Sequence, residues 1–210
     1  MKQTAPHTII HATALRDAAG TRFSPGSMLI QGGRVAVVGN PSDIPTKLVG
    51  GIEVIDRTGD LLLPQMVNAH THLELTSIGP QPYDPTGGFV GWVKQVRLAA
   101  ASGFEAMGDS LKLGAVMARE AGVIAVGDIT SRVEHAEARY EAGILGNSYL
   151  ELFGLGDPFD REALDLVKRV NQKDFKSAAN MPEGSSRIGW QPHAPYSAGH
   201  QLFAEASWYW

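Results

Sequence analysis

The sequence contains no cysteine in 210 residues, which excludes disulfides, a thiolate metal site and a cysteine nucleophile. The formal net charge is −4, so no basic excess predicts nucleic-acid binding. No apolar run approaches the roughly 18 residues of a membrane span, and the first residues lack the apolar core of a signal peptide. With 43% hydrophobic and 19% charged residues, the composition is typical of a globular chain. We therefore expect a cytoplasmic protein that binds neither nucleic acid nor membrane.

The first 60 residues are rich in short β-strand signals. Apolar and β-branched residues alternate with polar ones, and Gly32-Gly33 separates two such runs in the manner of a tight hairpin turn. About 60 residues bury little core alone. The pattern predicts a small antiparallel unit over residues 1–60, with strands in "HTIIHATAL", "SMLIQGGRVAVVG" and "GIEVIDRTGDLLLP".

From residue 61 onward, apolar strand-like segments alternate with amphipathic helical ones. Four such βα units in series predict a parallel α/β sheet over residues 61–210. The predicted strands lie in "LLLPQMVNAH", "GVIAVGDIT", "SYLELFGLG" and "RIGWQPHAPYS". The predicted helices lie in "GGFVGWVKQVRLAAASG", "EAMGDSLKLGAVMAREAG", "SRVEHAEARYEAGILG", "DREALDLVKRVNQ" and "GHQLFAEASWYW".

Polar residues follow the predicted strands closely: His70 and His72, Asp128, Glu151 and His193. A doubly wound nucleotide-binding sheet would carry a glycine-rich turn after its first strand, and "NAHTHLEL" has no glycine there. Active sites of (β/α)8 barrels form at the carboxyl ends of the strands. These features favour a barrel, with a nucleotide-binding sheet without metal as the disfavoured alternative.

His70 and His72 form the sharpest chemical signal in the chain. Residues i and i+2 of a strand point to the same side, about 6–7 Å apart, so the two imidazoles can converge on one divalent ion. Neutral imidazole binds Zn²⁺ well, and the bound ion makes hydroxide available near neutral pH. A catalytic site needs at least three protein ligands, so this pair is only part of one.

Two motifs resemble the amidohydrolase superfamily, in its deaminase and chlorohydrolase branch. "LPQMVNAHTHLEL" resembles that family's first barrel strand, apart from Gln65 in place of a glycine, and "QPHAPYSAG" resembles its fourth-strand segment. Residues 1–60 resemble part of the family's small β-sandwich. "GGFVGWVKQVR" lies where the family often has a Phe-x-x-Trp stretch lining the substrate pocket.

The resemblance implies a metal-dependent enzyme that hydrolyses a C–N bond and releases ammonia from an aminated heterocycle or nucleoside-like small molecule. It implies one divalent ion, Zn²⁺ or alternatively Fe²⁺, with His70 and His72 as two of its ligands. His193 and Trp92 are implied as substrate-contacting residues. Hydrolysis of a ring C–X bond, as in chlorohydrolases, is the enzymatic alternative.

A whole (β/α)8 barrel takes about 250 residues, and only about four βα units follow residue 60 here. We therefore expect an incomplete barrel, whose catalytic residues and further ligands lie in a missing C-terminal half and none in this chain. Such a chain alone should bind metal weakly and have no turnover. It could be a truncated, non-catalytic product, and a homodimer could cover its open edges.

Several residues have plausible structural roles instead. Trp92 could belong to the core, and Asp128 and Glu151 could cap the helices that follow them. His135 lies in a helix rich in charged residues, which predicts a solvated surface position. Glu74 would share the side of His70 only if the first strand continued that far.

Overall fold

The computed structural model describes residues 7–45, 47–102, 106–156, 161–167 and 186–207. The chain divides into two compact units, Met1–Gln65 and Met66–Trp210, where the sequence suggested a division between residues 60 and 61. Each unit carries its own sheet.

The first unit is a five-stranded sheet with β1 at its centre. β1 pairs antiparallel with β2 and β3, β3 pairs antiparallel with β4, and β5 pairs parallel with β1. The predicted all-antiparallel arrangement is therefore wrong for β5, which follows a connection long enough to return it alongside β1 in the same direction. The described strands form one sheet, so a two-sheet sandwich is not confirmed. The strands are β1 (His7–Arg16), β2 (Arg22–Phe23), β3 (Gly26–Gln31), β4 (Arg34–Gly39) and β5 (Ile52–Leu62), with a 3-10 turn at Pro41–Asp43.

The predicted hairpin turn joins β3 to β4. Gly32 and Gly33 have φ angles of 55° and 77°, and only glycine adopts such values at two successive positions at low cost. The turn at these two glycines is confirmed, and it brings the buried Leu29 of β3 opposite Val37 of β4.

The second unit contains four parallel strands in sequence order, β6-β7-β8-β9. This confirms the predicted parallel α/β sheet, and it matches the strand order of the first half of a (β/α)8 barrel. The strands are β6 (Met66–Thr71), β7 (Val123–Thr130), β8 (Leu145–Leu152) and β9 (Ser186–Pro192). The helices are α1 (Gly88–Ser102), α2 (Met107–Glu120), α3 (Glu134–Glu141), α4 (161–167) and α5 (His200–Ser207), and a 3-10 helix spans Leu73–Ile78.

The first parallel strand is shorter than "LLLPQMVNAH" predicted. Leu61 and Leu62 belong to β5 of the first unit, and β6 begins only at Met66. Pro64 lies between them and cannot donate a ladder hydrogen bond, which separates the two strands. β6 ends at Thr71, opposite Asp128 of β7, and the 3-10 helix follows at once.

Helices predicted from apolar spacing are present, although α3 is shorter than expected because Leu145 already belongs to β8. Residues 160 and 168–172 of the fourth predicted helix, and 208–210 of the last, lie outside the described residues. None of the described helices has both the length and the apolar character required to cross a membrane. The helices and the sheet enclose two apolar clusters, one around Leu111, Val126 and Ile144 and the other around Leu150, Trp190 and Leu202.

Candidate functional site

The carboxyl ends of the parallel strands bring the predicted site residues to one edge of the sheet. His70 is the second-last residue of β6, and His72 directly follows Thr71, the last residue of that strand. Glu151 lies in the second-last position of β8, and His193 follows β9. Parallel strands share this end, so the fold brings these residues to the same edge of the sheet.

The imidazoles of His70 and His72 meet edge to face, with ring centroids 5.4 Å apart. His70 is exposed, whereas His72 is half-buried. Burial lowers the pKa of His72, and the neighbouring His70 lowers it further, so the neutral ring is favoured. Neutral imidazole is the form that binds a metal ion. The neutral ring of His72 suits a metal ligand, and the role of the pair stays a prediction.

His193 is held firmly from several sides. Its backbone N–H donates to the carbonyl of Leu152 at 3.0 Å, and Nδ1 lies 2.5 Å from Oγ of Ser197. The ring of Phe153 stacks on its face, with centroids 4.7 Å apart. Burial lowers the pKa of His193, so this ring too favours its neutral form. Nε2 remains directed toward Oε1 of Glu151, 4.0 Å away.

Glu151 has an unusual protonation state for a carboxyl group. Its side chain is only 16% exposed, and burial raises its pKa to about 7, with a smaller contribution from the charge of Glu74. Near neutral pH it can therefore both donate and accept a proton. Its position beside His193, rather than at the start of a helix, indicates a role in the site.

Trp92 belongs to a row of exposed aromatic rings. It stacks on Phe89 within α1, with centroids 6.2 Å apart, and Phe89 meets the edge of Tyr196 at 6.1 Å. Tyr196 in turn contacts His193 at 5.7 Å. Trp92 is 39% exposed, so it is not a core residue. Its predicted contact with substrate stays a prediction, but the row connects it to His193, and the sequence did not single out Phe153 or Tyr196.

Glu74 does not continue the strand beside His70; it lies in the 3-10 helix and is buried. Its carboxylate accepts hydrogen bonds from Thr130, from the backbone and side chain of Ser131, and from Nδ1 of His135 at 2.7 Å. His135 is only 5% exposed, so its predicted solvated surface position is wrong. α3 turns this residue inward, and a charged helix does not reveal which of its polar residues faces a buried partner.

Asp128 is fully buried and supports the same region. Its Oδ1 accepts a hydrogen bond from the N–H of Leu73 at 3.0 Å. The prediction that Asp128 caps the helix after its own strand is therefore wrong, because its carboxylate instead binds the start of the 3-10 helix that follows β6. Burial raises the pKa of Asp128 to about 6. Arg139, also fully buried, donates to the carbonyls of Ile144 and Gly146 and thereby joins α3 to β8.

His70 and His72, whose rings lie together at the end of β6 with His70 exposed, are the residues that would hold a divalent ion. Within the described part of the chain, however, no group of three or more histidine, aspartate or glutamate side chains is arranged to hold a metal. The described residues thus offer two neighbouring imidazoles and not a full coordination shell. Two ligands alone bind zinc less firmly than the three or four of natural sites.

No family model matches the sequence. Its relatives include a 5'-deoxyadenosine deaminase of Methanothermobacter thermautotrophicus, 30% identical over 95% of this chain and 45% of that protein. Solved structures with a similar fold include aminofutalosine deaminase of Helicobacter pylori in complex with methylthio-coformycin, at a TM-score of 0.70 and 20% identity over 95% of this chain and 47% of that one. An adenosine deaminase of Xanthomonas campestris with bound zinc gives a TM-score of 0.68 and 16% identity over 96% and 46% of the two chains.

The chain spans about half the length of these relatives. The histidine pair on β6, the four parallel strands and the deaminase relatives agree with the resemblance of the two sequence motifs. These relatives are hydrolases that act on C–N bonds. Over nearly its whole length, the chain is therefore similar to deaminases of the amidohydrolase superfamily, and it fits their N-terminal half.

Proposed function

We propose that this chain supplies the metal-binding and part of the substrate-binding surface of a deaminase that acts on an aminated heterocycle or nucleoside-like molecule. The observation that supports this most is the meeting of His70 and His72 at the carboxyl end of β6, at the same sheet edge as His193. We further propose that the four strands are the first half of a (β/α)8 barrel.

In this proposal His70 and His72 hold a divalent ion, with zinc favoured because a structural neighbour contains it. Such an ion supplies the activation of water near neutral pH that hydrolysis of a C–N bond requires. The reaction replaces the ring amino group by oxygen from water and releases ammonia. His193, stacked on Phe153, presents Nε2 to the substrate, and Glu151 beside it can exchange a proton near neutral pH.

The aromatic row gives the substrate class its second support. Phe89, Trp92 and Tyr196 expose their rings between α1 and the turn after β9. Flat purine-like rings and apolar substituents bind well to such surfaces. The names of the relatives point the same way, toward 5'-deoxyadenosine or an aminofutalosine as the first compounds to test.

Among the described residues, no group of three or more potential ligands is arranged to hold a metal. We therefore propose that the 210-residue chain by itself binds metal weakly and has no turnover. A homodimer and a cytoplasmic location stay predictions.

Metal binding tests the proposal directly. The chain is dialysed against Zn²⁺ or Co²⁺, and bound metal is measured for wild type, His70→Ala, His72→Ala and the control His200→Ala, whose imidazole is exposed on α5. We expect both site variants to lose metal and the control to keep it. Equal metal content in all four proteins would refute the ligand assignment.

Activity is tested by incubating metal-loaded chain with 5'-deoxyadenosine and measuring released ammonia. We expect none from the chain alone. Turnover by the chain alone that survives both His70→Ala and His72→Ala would contradict the metal-dependent assignment.

A further inference from the structure

We propose that Glu74 and His135 are positioning residues that fix His72 in its ligand orientation, an inference that builds on the proposed metal site. Neither residue is placed to bind the ion. Both are buried behind the histidine pair, on the 3-10 helix and on α3.

Glu74 lies two residues after His72 and is anchored to two other segments. Its carboxylate accepts from Oγ1 of Thr130 at 2.9 Å, from the backbone N–H of Ser131 at 3.0 Å and from Nδ1 of His135 at 2.7 Å. Thr130 ends β7, and His135 lies in the first turn of α3. Hydrogen bonds that involve a carboxylate are stronger than neutral ones, so this carboxylate ties the start of the 3-10 helix to β7 and α3.

A second attachment lies on the other side of the same short segment. Thr71 pairs with Asp128 in the sheet, and Oδ1 of Asp128 accepts the N–H of Leu73 at 3.0 Å. His72 is therefore the one residue between the end of the β6–β7 ladder and two buried attachments at Leu73 and Glu74. Its backbone is neither strand nor helix, with φ −122° and ψ 81°. Neighbouring contacts, rather than regular structure, must determine where its ring points.

Buried carboxylates are costly unless fully hydrogen-bonded. The residues of β6 before Thr71 are exposed, so their side chains pack little against neighbouring elements. The buried hydrogen bonds at Leu73 and Glu74 lie next to His72, where supporting contacts can fix the orientation of a metal-binding ring.

The test compares variants at the same 3-10 helix. His135→Leu removes the donor and keeps bulk, whereas His135→Asn retains an amide N–H near the Nδ1 position; Glu74→Gln removes the carboxylate. The control is Ser110→Ala, which removes the hydrogen bond from the N–H of Ser77 to Oγ of the buried Ser110, at the far end of that helix. Each protein is assayed for Co²⁺ affinity by chelator competition and for backbone amide hydrogen exchange.

We expect His135→Leu and Glu74→Gln to weaken Co²⁺ binding about tenfold or more, as loss of supporting contacts does at other metal sites. His135→Asn should recover most of the affinity, and Ser110→Ala should keep it. Unchanged affinity in His135→Leu, or an equal loss in Ser110→Ala, would overturn the inference.

Amide exchange decides the inference even if wild type binds no metal, an outcome that would refute the proposed metal site alone. The N–H groups of Leu73 and Leu75 should then exchange about tenfold faster in His135→Leu and Glu74→Gln, because a lost hydrogen bond to a charged group destabilises the segment locally. In Ser110→Ala only the N–H of Ser77 should exchange faster. Unaltered exchange at Leu73 and Leu75 in both variants would reject the positioning role.

Discussion

Gly127 of β7 packs directly against the backbone of Ala69 in β6, the residue that precedes His70. A Cβ added at this glycine would lie 2.3 Å from the carbonyl oxygen of Ala69 and 3.0 Å from its carbonyl carbon, whereas ordinary contact begins at 3.4 Å. Gly127→Ala must therefore move β6 or β7 by about 1 Å. The obstacle is backbone and not a flexible side chain, so it cannot simply rotate away.

We expect this substitution to lower the free energy of unfolding by about 2–3 kcal/mol, the upper range for overpacking of a close contact. A displacement of about 1 Å also exceeds the roughly 0.5 Å within which a ligand set must be held. Metal affinity at His70 and His72 should then fall on the order of tenfold. A loss of stability alone would not lower the affinity of a sample that remains folded.

Stability is measured by urea unfolding followed by far-ultraviolet circular dichroism. Co²⁺ affinity is measured by chelator competition without urea, where the variant is folded. Gly108→Ala in α2 is the matched control, because its added Cβ meets no atom within 4 Å. Alanine in a helix should leave its stability unchanged or raise it by up to about 1 kcal/mol. If Gly127→Ala unfolds at the same urea concentration as Gly108→Ala, the argument from close packing is wrong.

Three further substitutions test the effects of burial and of close contacts. Arg139→Met should lower the free energy of unfolding by about 3–5 kcal/mol, because the carbonyls of Ile144 and Gly146 lose the hydrogen bonds that the guanidinium donates to them. A loss below about 1 kcal/mol in urea unfolding would contradict this. Burial raises the pKa of Glu151 from 4.5 to about 7, so the folded state keeps a proton that the unfolded state releases between these pH values. The free energy of unfolding of wild type should therefore fall by up to about 3 kcal/mol as the pH rises through that window, and Glu151→Gln should remove this pH dependence. Parallel pH profiles of wild type and variant in urea unfolding would exclude this effect. Phe153→Ala should expose His193 and raise its pKa toward the usual 6.5, measured by NMR titration of the ring protons; an unmoved titration would show that the stacked ring does not shield it.

Much of the fold could be predicted from local sequence signals. Gly32-Gly33 marked a turn because two successive left-handed residues require glycine. Apolar runs bounded by polar helices marked β7, β8 and β9, and their serial repetition implied parallel pairing. The parallel pairing of β5 with β1 was not predictable in this way, because it joins residues more than 40 positions apart and leaves no local pattern.

Local sequence signals likewise predicted some features of the candidate site and missed others. His70 and His72 were predicted as neighbours because strand geometry places i and i+2 on one side. Their rings do meet, but β6 ends at Thr71, so a continuing strand is not what brings them together. His135 was misread, because its helix is charged on several sides and only the packing of α3 shows that this residue faces Glu74. The aromatic rings of Phe153 and Tyr196 joined the site for the same reason: the turns after β8 and β9 come together only in the folded sheet.

The sequence by itself identified two histidines one residue apart after an apolar segment, within motifs that resemble a deaminase family. It also determined the alternation of strands and helices, since both periodicities are local properties of the chain. Only the tertiary structure decided which carboxyls are buried, that Glu74 and His135 form a pair, and that Glu151 lies beside His193. Burial and hydrogen bonding between distant segments depend on packing, and packing is a property of the whole fold.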